Sequence, residues 1–212
     1  MVRSSVNPVV TLAQSVHASL AYRHWNNLWS HDENLRRYGS MASPEGLGGN
    51  WIVELAGRVA EADLHEPLGR IKSLLDHRCL FTDVAEFRDS PSTLENVTLF
   101  LGRQFLVGDF EFLSVHESDS LSCTLRAGVL TLRFRLLNLT LDIEGVPDES
   151  GLMTSREQVT QSVIETHAQF ANASDLRGDQ WAQSVLENLK QSVRGLALVR
   201  IDLGGGQYIV VG

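Results

Sequence analysis

The chain has 212 residues, 43% of them hydrophobic, with 18 Lys and Arg against 26 Asp and Glu and a formal net charge of −8. That length accommodates one or two domains, and the acidic balance argues against a nucleic-acid partner, which would call for basic stripes. A local basic pocket for a small anion stays compatible with it. Cys79 and Cys123 are the two cysteines and form no C-x-x-C pair, a pattern of reduced cytosolic thiols rather than of a disulfide framework. Arg3, Ser4, Ser5 and Asn7 interrupt any signal-peptide core at the N-terminus, and no uncharged apolar run reaches bilayer length. The expectation is a cytoplasmic protein without a membrane partner.

In chain order, residues 9–22 are rich in β-branched and small side chains and predict a long strand. Residues 23–50, with Asn, Ser, Gly and Pro clusters and one short charged helical piece, predict an excursion before a second strand, Trp51–Gly57. Leu68, Ile71, Leu74 and Leu75 recur at helical spacing over 64–75, with Pro67 in the first turn. Ser92 and Glu95 form a capping box that opens a helix burying Val97, Phe100, Leu101 and Phe105. Strands follow at 109–118 and 121–125. Arg126-Ala127-Gly128 turns the chain into 129–144, the longest alternating run, where Arg133 and Arg135 share a face and Asn138 falls out of phase. A bulge or crossing near 136–138 accounts for that slip. Thr154 and Glu157 make a second capping box, for a helix burying Val159, Val163, Ile164 and His167 or Phe170. After a loop at 172–178, Trp181, Val185, Leu186, Leu189 and Val193 define a further helix. Strands at 197–203 and 207–211 close on the Gly204-Gly205-Gly206 turn. That triplet does not lie between a strand and a helix, so it is no phosphate cradle.

Several side chains carry chemistry. Asp76 and His77 are adjacent, an orienting carboxylate with an imidazole suited to proton transfer near neutral pH; alternatively, His77 only faces the carbonyl end of its helix. Glu117 is a strand carboxylate whose two oxygens can accept two parallel hydrogen bonds, or one that is solvated. Thr93 caps its helix and can present the helix N-terminus to a ligand. Tyr22 and His24 share a strand face. Cys79 reads as core, and His116 points away from Glu117 across the strand.

Residues 38–51, Tyr-Gly-Ser-Met-Ala-Ser-Pro-Glu-Gly-Leu-Gly-Gly-Asn-Trp, resemble without a gap the F-G-K-C-N-N-P-N-G-H-G-H-N-Y signature of the 6-pyruvoyl-tetrahydropterin synthase family and its 6-carboxytetrahydropterin synthase relatives. Ser19–Asn26 is similar to the family's F-S-A-A-H-R-L-W-N strand end, and residues 28–39 to its L-S-D-E-E-N-R-x-x-F-G stretch. Leu74–Arg78 is similar to P-L-D-H-K, residues 92–96 to T-x-E-N, and residues 112–118 to the V-x-V-x-E-T strand. Residues 136–153 echo the family's V-x-V-x-G-E-V-D-P-x-T-G-M-V segment. The resemblance implies zinc His at positions 22, 47 and 49 and a catalytic Cys at 41, where this chain has Tyr22, Leu47, Gly49 and Met41. Leu and Gly offer Zn²⁺ no side-chain lone pair. It further implies that Glu117 anchors a planar ring and that Asp76 and His77 transfer a proton.

The fold implied is α+β: tandem tunnelling-fold (T-fold) units with antiparallel sheets and helices packed on one face, the barrel closed by oligomerisation. The first unit covers 1–125, with 23–50 as an inserted loop. The second, 126–212, is functionally blank, because Leu203 stands at its anchor position. The favoured expectation is a metal-independent lyase, isomerase or cyclase with no cofactor, acting on a small heterocyclic or enolisable substrate in specialised biosynthesis. In it His77, Asp76 and Tyr22 are catalytic and Glu117, Thr93 and His24 bind substrate. The alternative is a non-catalytic pterin- or purine-like binder, or a structural partner of an active relative. Either way a homo-oligomer is expected. A zinc synthase with unorthodox ligands is the third reading.

Overall fold

The computed structural model describes residues 11–170 and 178–212. Expected strand residues Val9 and Val10, loop residues Asn172–Arg177, and the side chains of His167 and Phe170 lie outside what is described. The elements are β1 (Leu12–Tyr22), α1 (His31–Tyr38), β2 (Leu47–Gly57), α2 (Glu61–Leu75), β3 (Arg78–Cys79), α3 (Leu80–Asp83), α4 (Leu94–Phe105), β4 (Phe110–Ser118), β5 (Leu121–Arg126), β6 (Val129–Leu136), β7 (Leu139–Gly145), α5 (Arg156–Phe170), α6 (Gly178–Ser192), β8 (Leu196–Gly204) and β9 (Gln207–Val211).

Alternation along the strands decides where the helices lie. On β1, Ala18, Leu20 and Tyr22 are buried while Ser15, His17 and Ser19 are exposed. On β6, Leu130 and Leu132 are buried beside exposed Arg133 and Arg135. Apolar residues at period two mark one face for burial. The helices cover that face, α2 against β1, α4 against β4 and β5, and α6 against β8 and β9. The other face is polar, with Ser15, His17, Glu54, Ser114, His116, Thr124 and Thr131 on it. The strands form one nine-stranded sheet in the order β3-β1-β2-β4-β5-β6-β7-β8-β9. Every pair is antiparallel except β3, which runs parallel to β1. β1, β2, helices, β4 and β5 are thus followed by β6, β7, helices, β8 and β9.

Local chemistry departs from the sequence expectations at six places. β2 begins at Leu47 instead of Trp51, because Leu47–Asn50 pair in register with Tyr22–Ser19. α2 begins at Glu61, which puts Pro67 inside the helix rather than in its first turn; its missing N–H costs one helical hydrogen bond. Thr93, not Ser92, caps α4, its hydroxyl accepting from the Asn96 N–H at 3.3 Å, while Ser92 Oγ accepts from the Arg23 N–H at 2.7 Å. Residues 129–145 form a hairpin rather than one bulged strand. Leu136 pairs with Leu139, and Leu137 turns the chain at φ +57°. A left-handed Leu is uncommon, so the turn carries no sequence signal. The helix opened at Arg156 is capped by Ser155 rather than Thr154, and Ile164 is exposed instead of buried.

Because the β5–β6 ladder joins the first half of the chain to the second, loss of packing beneath β6 is felt throughout. Leu132 is fully buried, so Leu132→Ala should cost about 2–5 kcal/mol, read as a lower urea midpoint with unchanged slope. Tryptophan fluorescence and far-UV circular dichroism should report one coincident transition. Two resolved transitions would show that the halves unfold separately.

Candidate functional site

Tyr22 ends β1 with its ring on the helix-covered face, opposite Leu47. Glu117 lies near the end of β4, on the same face as Leu113 and Val115, where a register shift between His116 and Ser118 lets the strand turn its carboxylate inward. The Tyr22 hydroxyl donates to Glu117 Oε1 at 2.7 Å. Arg156 Nη1, from the first turn of α5, donates to Glu117 Oε2 at 2.8 Å. Both carboxylate oxygens are therefore engaged within the chain. Arg156 Nη2 also lies 3.9 Å from Glu95 Oε2, on a residue with no exposure.

The loop between β7 and α5 brings Arg156 here. Thr93 Oγ1 donates to the Gly151 carbonyl at 2.6 Å, and the Tyr38 hydroxyl to the Ser150 carbonyl at 2.8 Å. The Met153 N–H donates to Glu95 Oε1 at 3.3 Å, and the Ser40 N–H to Glu157 Oε1 at 2.6 Å. Gly151 has φ +74°, and a Cβ there would stand 2.3 Å from Asn96 Nδ2. Only glycine suits both the angle and the close approach. A groove of about 820 Å³, lined by Ser40, Met41, Ser155 and Arg156 among others, opens where this loop meets the first half.

Burial sets the protonation states. The Tyr22 hydroxyl is pushed well above its ordinary range, first by burial and then by the Glu117 charge. Burial also raises Glu95, opposed by Arg156. His24, packed 5.5 Å from the Tyr22 ring and 5.7 Å from that of Tyr38 between centroids, is pushed down to about 3, by burial first and by Arg156 second. It is a neutral core imidazole whose Nε2 has no hydrogen-bond partner.

The structure brings Tyr22, His24 and Glu117 together and leaves Asp76 and His77 elsewhere. His77 follows α2 at φ +57° with an exposed ring, its Nδ1 3.2 Å from Asp76 Oδ2. Asp76 accepts from the Ser19 N–H, and that bond chiefly holds its carboxyl below the ordinary range. The pair flanks β1, with β1 and β2 standing between it and the strand of Glu117, roughly 14 Å away at three strand spacings. Thr93 is buried, with its hydroxyl engaged by Gly151 and Asn96. Sequence reasoning did not find Arg156 or Glu95. Both sit in capping patterns, and nothing local marks one as a buried cation or the other as a buried acid.

Positions 22, 47 and 49 do not form a zinc site. They supply one phenol and no imidazole, thiolate or carboxylate, whereas Zn²⁺ takes those donors, usually four in a tetrahedron. A Cβ at Gly49 would stand 2.9 Å from Trp51 Nε1 and 3.0 Å from Tyr22 Cε1, so these two rings fill the room a ligand side chain would need. Among the described residues no three His, Cys, Asp or Glu side chains group as a metal would require.

His24 makes acid stability a test of this packing. A folded-state pKa below the unfolded value of about 6.5 means that only the unfolded chain takes up the proton between those two values. Stability is then fully present above pH 6.5 and falls by up to about 1.4 kcal/mol per unit as the pH drops. His24→Phe keeps an aromatic ring and removes the titration, so urea denaturation should show a flatter decline from pH 6 to pH 4. An unchanged slope would place His24 in water.

Comparison with known proteins bears on this arrangement. No family model matches the chain. A 6-pyruvoyl tetrahydrobiopterin synthase of Homo sapiens is 29% identical over 124 residues, 51% of this chain and 86% of the relative. A putative 6-pyruvoyl tetrahydrobiopterin synthase of Caenorhabditis elegans is 31% identical over 104 residues, 44% of this chain and 74% of the relative. The solved 6-pyruvoyl tetrahydropterin synthase of C. elegans shares the fold with a TM-score of 0.52 at 21% identity, across 57% of this chain and 96% of that one. No helix among the described residues is long and apolar enough to cross a membrane. With a shared α+β sheet architecture and that identity over most of a nematode relative, the chain belongs to the 6-pyruvoyl tetrahydropterin synthase family.

Proposed function

We propose that this chain is a non-catalytic member of its family, a structural or binding partner in which the position of the family's centre has become a part-buried polar joint between two tandem T-fold units, 1–125 and 126–212. The observation that carries this reading is that both oxygens of Glu117 are engaged in cis, by Tyr22 and Arg156. Each oxygen keeps a further lone pair, but a ring edge would have to compete with Tyr22 and Arg156 for the carboxylate, and the Tyr22 hydroxyl that donates to it is not free to stabilise an oxyanion. The tandem division is supported by the order of elements, strand–strand–helices–strand–strand in each half. With β3 and β9 at the sheet edges and unpaired on their outer sides among the described residues, a homo-oligomer that covers them is the natural assembly.

A second reading, a metal-independent acid–base lyase, isomerase or cyclase, is favoured by one observation. The exposed His77 ring is oriented by Asp76 through Nδ1, which leaves Nε2 to face solvent as a base. On that reading any turnover of a pterin or purine disappears in His77→Ala while ligand affinity is retained.

Metal analysis and thermal shift separate these readings from the zinc-dependent reaction. The purified protein should carry far less than one zinc per chain, and its melting temperature should not respond to EDTA. Pterins and purines should leave the melting temperature of wild type and of Glu117→Gln unchanged. Stoichiometric zinc, or a pterin-dependent stabilisation that Glu117→Gln removes, would overturn the proposal.

A further inference from the structure

The second half has a pocket of its own, on the sheet face that no helix covers. Arg135 on β6 is directly opposite Thr140 on β7, and Thr140 is directly opposite Arg200 on β8. Strand alternation puts all three on the polar face. The two arginines stand two strand spacings apart, about 9.5 Å, on either side of Thr140. Arg135, Thr140 and Arg200, with Leu137, Asn138 and Asp202, line a pocket of about 270 Å³.

Three features make this more than two surface cations. Arg133, two residues along the same face, is bound to Asp142 by two hydrogen bonds of 2.7 Å, whereas Arg135 makes no ion pair among the described residues. Arg200 is held in place, its guanidinium 4.0 Å from the centroid of the Tyr208 ring. Asn138 has its amide nitrogen directed at the Asp202 carbonyl, at 3.5 Å, and its Oδ1 is buried without a partner. Buried polar atoms in folded proteins are paired almost without exception, and this one lacks a donor.

We propose that this pocket binds a phosphate group, free or as the monoester of a small molecule. Arg135, Arg200 and the Thr140 hydroxyl line the pocket, a donor set that suits the three acceptor oxygens of a phosphoryl group better than the two of a carboxylate. The acceptor Asn138 Oδ1 suits the proton that a phosphate retains near neutral pH. In a chain of net charge −8, such an anion is held by locally built geometry and not by the overall field. The site is independent of the Glu117 joint and of whether the chain is catalytic.

Calorimetric titration of the full chain with inorganic phosphate at pH 7 and low ionic strength, with sulfate in parallel, tests the assignment. Phosphate should bind saturably at one site per chain, at least fivefold tighter than sulfate, which has no proton to donate. Arg135→Ala and Arg200→Ala should each weaken binding at least tenfold, and Arg133→Ala less than twofold. Urea midpoints near wild type would establish that the variants fold; Arg135→Gln replaces Arg135→Ala if that variant does not. A non-saturable response, equal affinity for sulfate, or equal losses in Arg133→Ala and Arg135→Ala would overturn the proposal.

Discussion

A carboxylate turned into the covered face of a sheet must find partners there, because an unpaired buried charge costs several kcal/mol. Glu117 meets that constraint with one hydroxyl from its own half of the chain and one guanidinium from the other. Much of the junction follows. Arg156 reaches Glu117 only if α5 starts where it does, which fixes the loop after β7 against the N-terminus of α4. That loop brings the carbonyls of Ser150 and Gly151 to Tyr38 and Thr93, and its Gly151 admits no side chain. Glu95 then lies in a space closed to water, where burial favours its neutral form.

The joint is better understood as a specifier of geometry than as a source of stability. Paired buried charges return little net free energy against an apolar replacement, yet a misaligned pair leaves an uncompensated ion. The guanidinium adds direction, since its planar fork accepts a carboxylate only in certain orientations. The stability of the arrangement comes instead from the apolar layer beneath the sheet, which runs unbroken from Leu20 and Trp51 through Leu132 to Val199 and Ile201.

Periodicity made most of the architecture legible. Among the described residues each expected long helix exists, and each expected strand except the 129–144 run, which folds back as a hairpin, because alternation and helical spacing are written in single side chains. What escaped were features set by partners distant in sequence. Leu47–Asn50 carry Gly and Asn and read as loop, but β1 lies alongside and recruits them into the sheet. The Leu137 turn has no glycine to announce it, and only the pairing of Leu136 with Leu139 reveals the hairpin. In the site, Tyr22 and Glu117 were found through the resemblance to the family's motifs and His24 because it shares a strand face with Tyr22, whereas Arg156 stands 39 residues beyond Glu117 in what reads as a helix cap. The Asp76–His77 pair was legible as chemistry but not as location, since the strand order that separates it from Glu117 is a tertiary fact.

The way positions 22 and 49 are filled couples the Glu117 contact to the packing around it. A side chain at 49 and the Tyr22 ring compete for the same volume: with glycine at 49 the phenol packs against Trp51, their centroids 4.8 Å apart, and its hydroxyl reaches Glu117. A side chain at 49 would press on that ring, and removing the phenol would strip Glu117 of a donor. The two positions are therefore coupled through packing as well as through the hydrogen bond to Glu117. The guanidinium of Arg156 completes the arrangement, because it brings positive charge to the carboxylate from the other half of the chain.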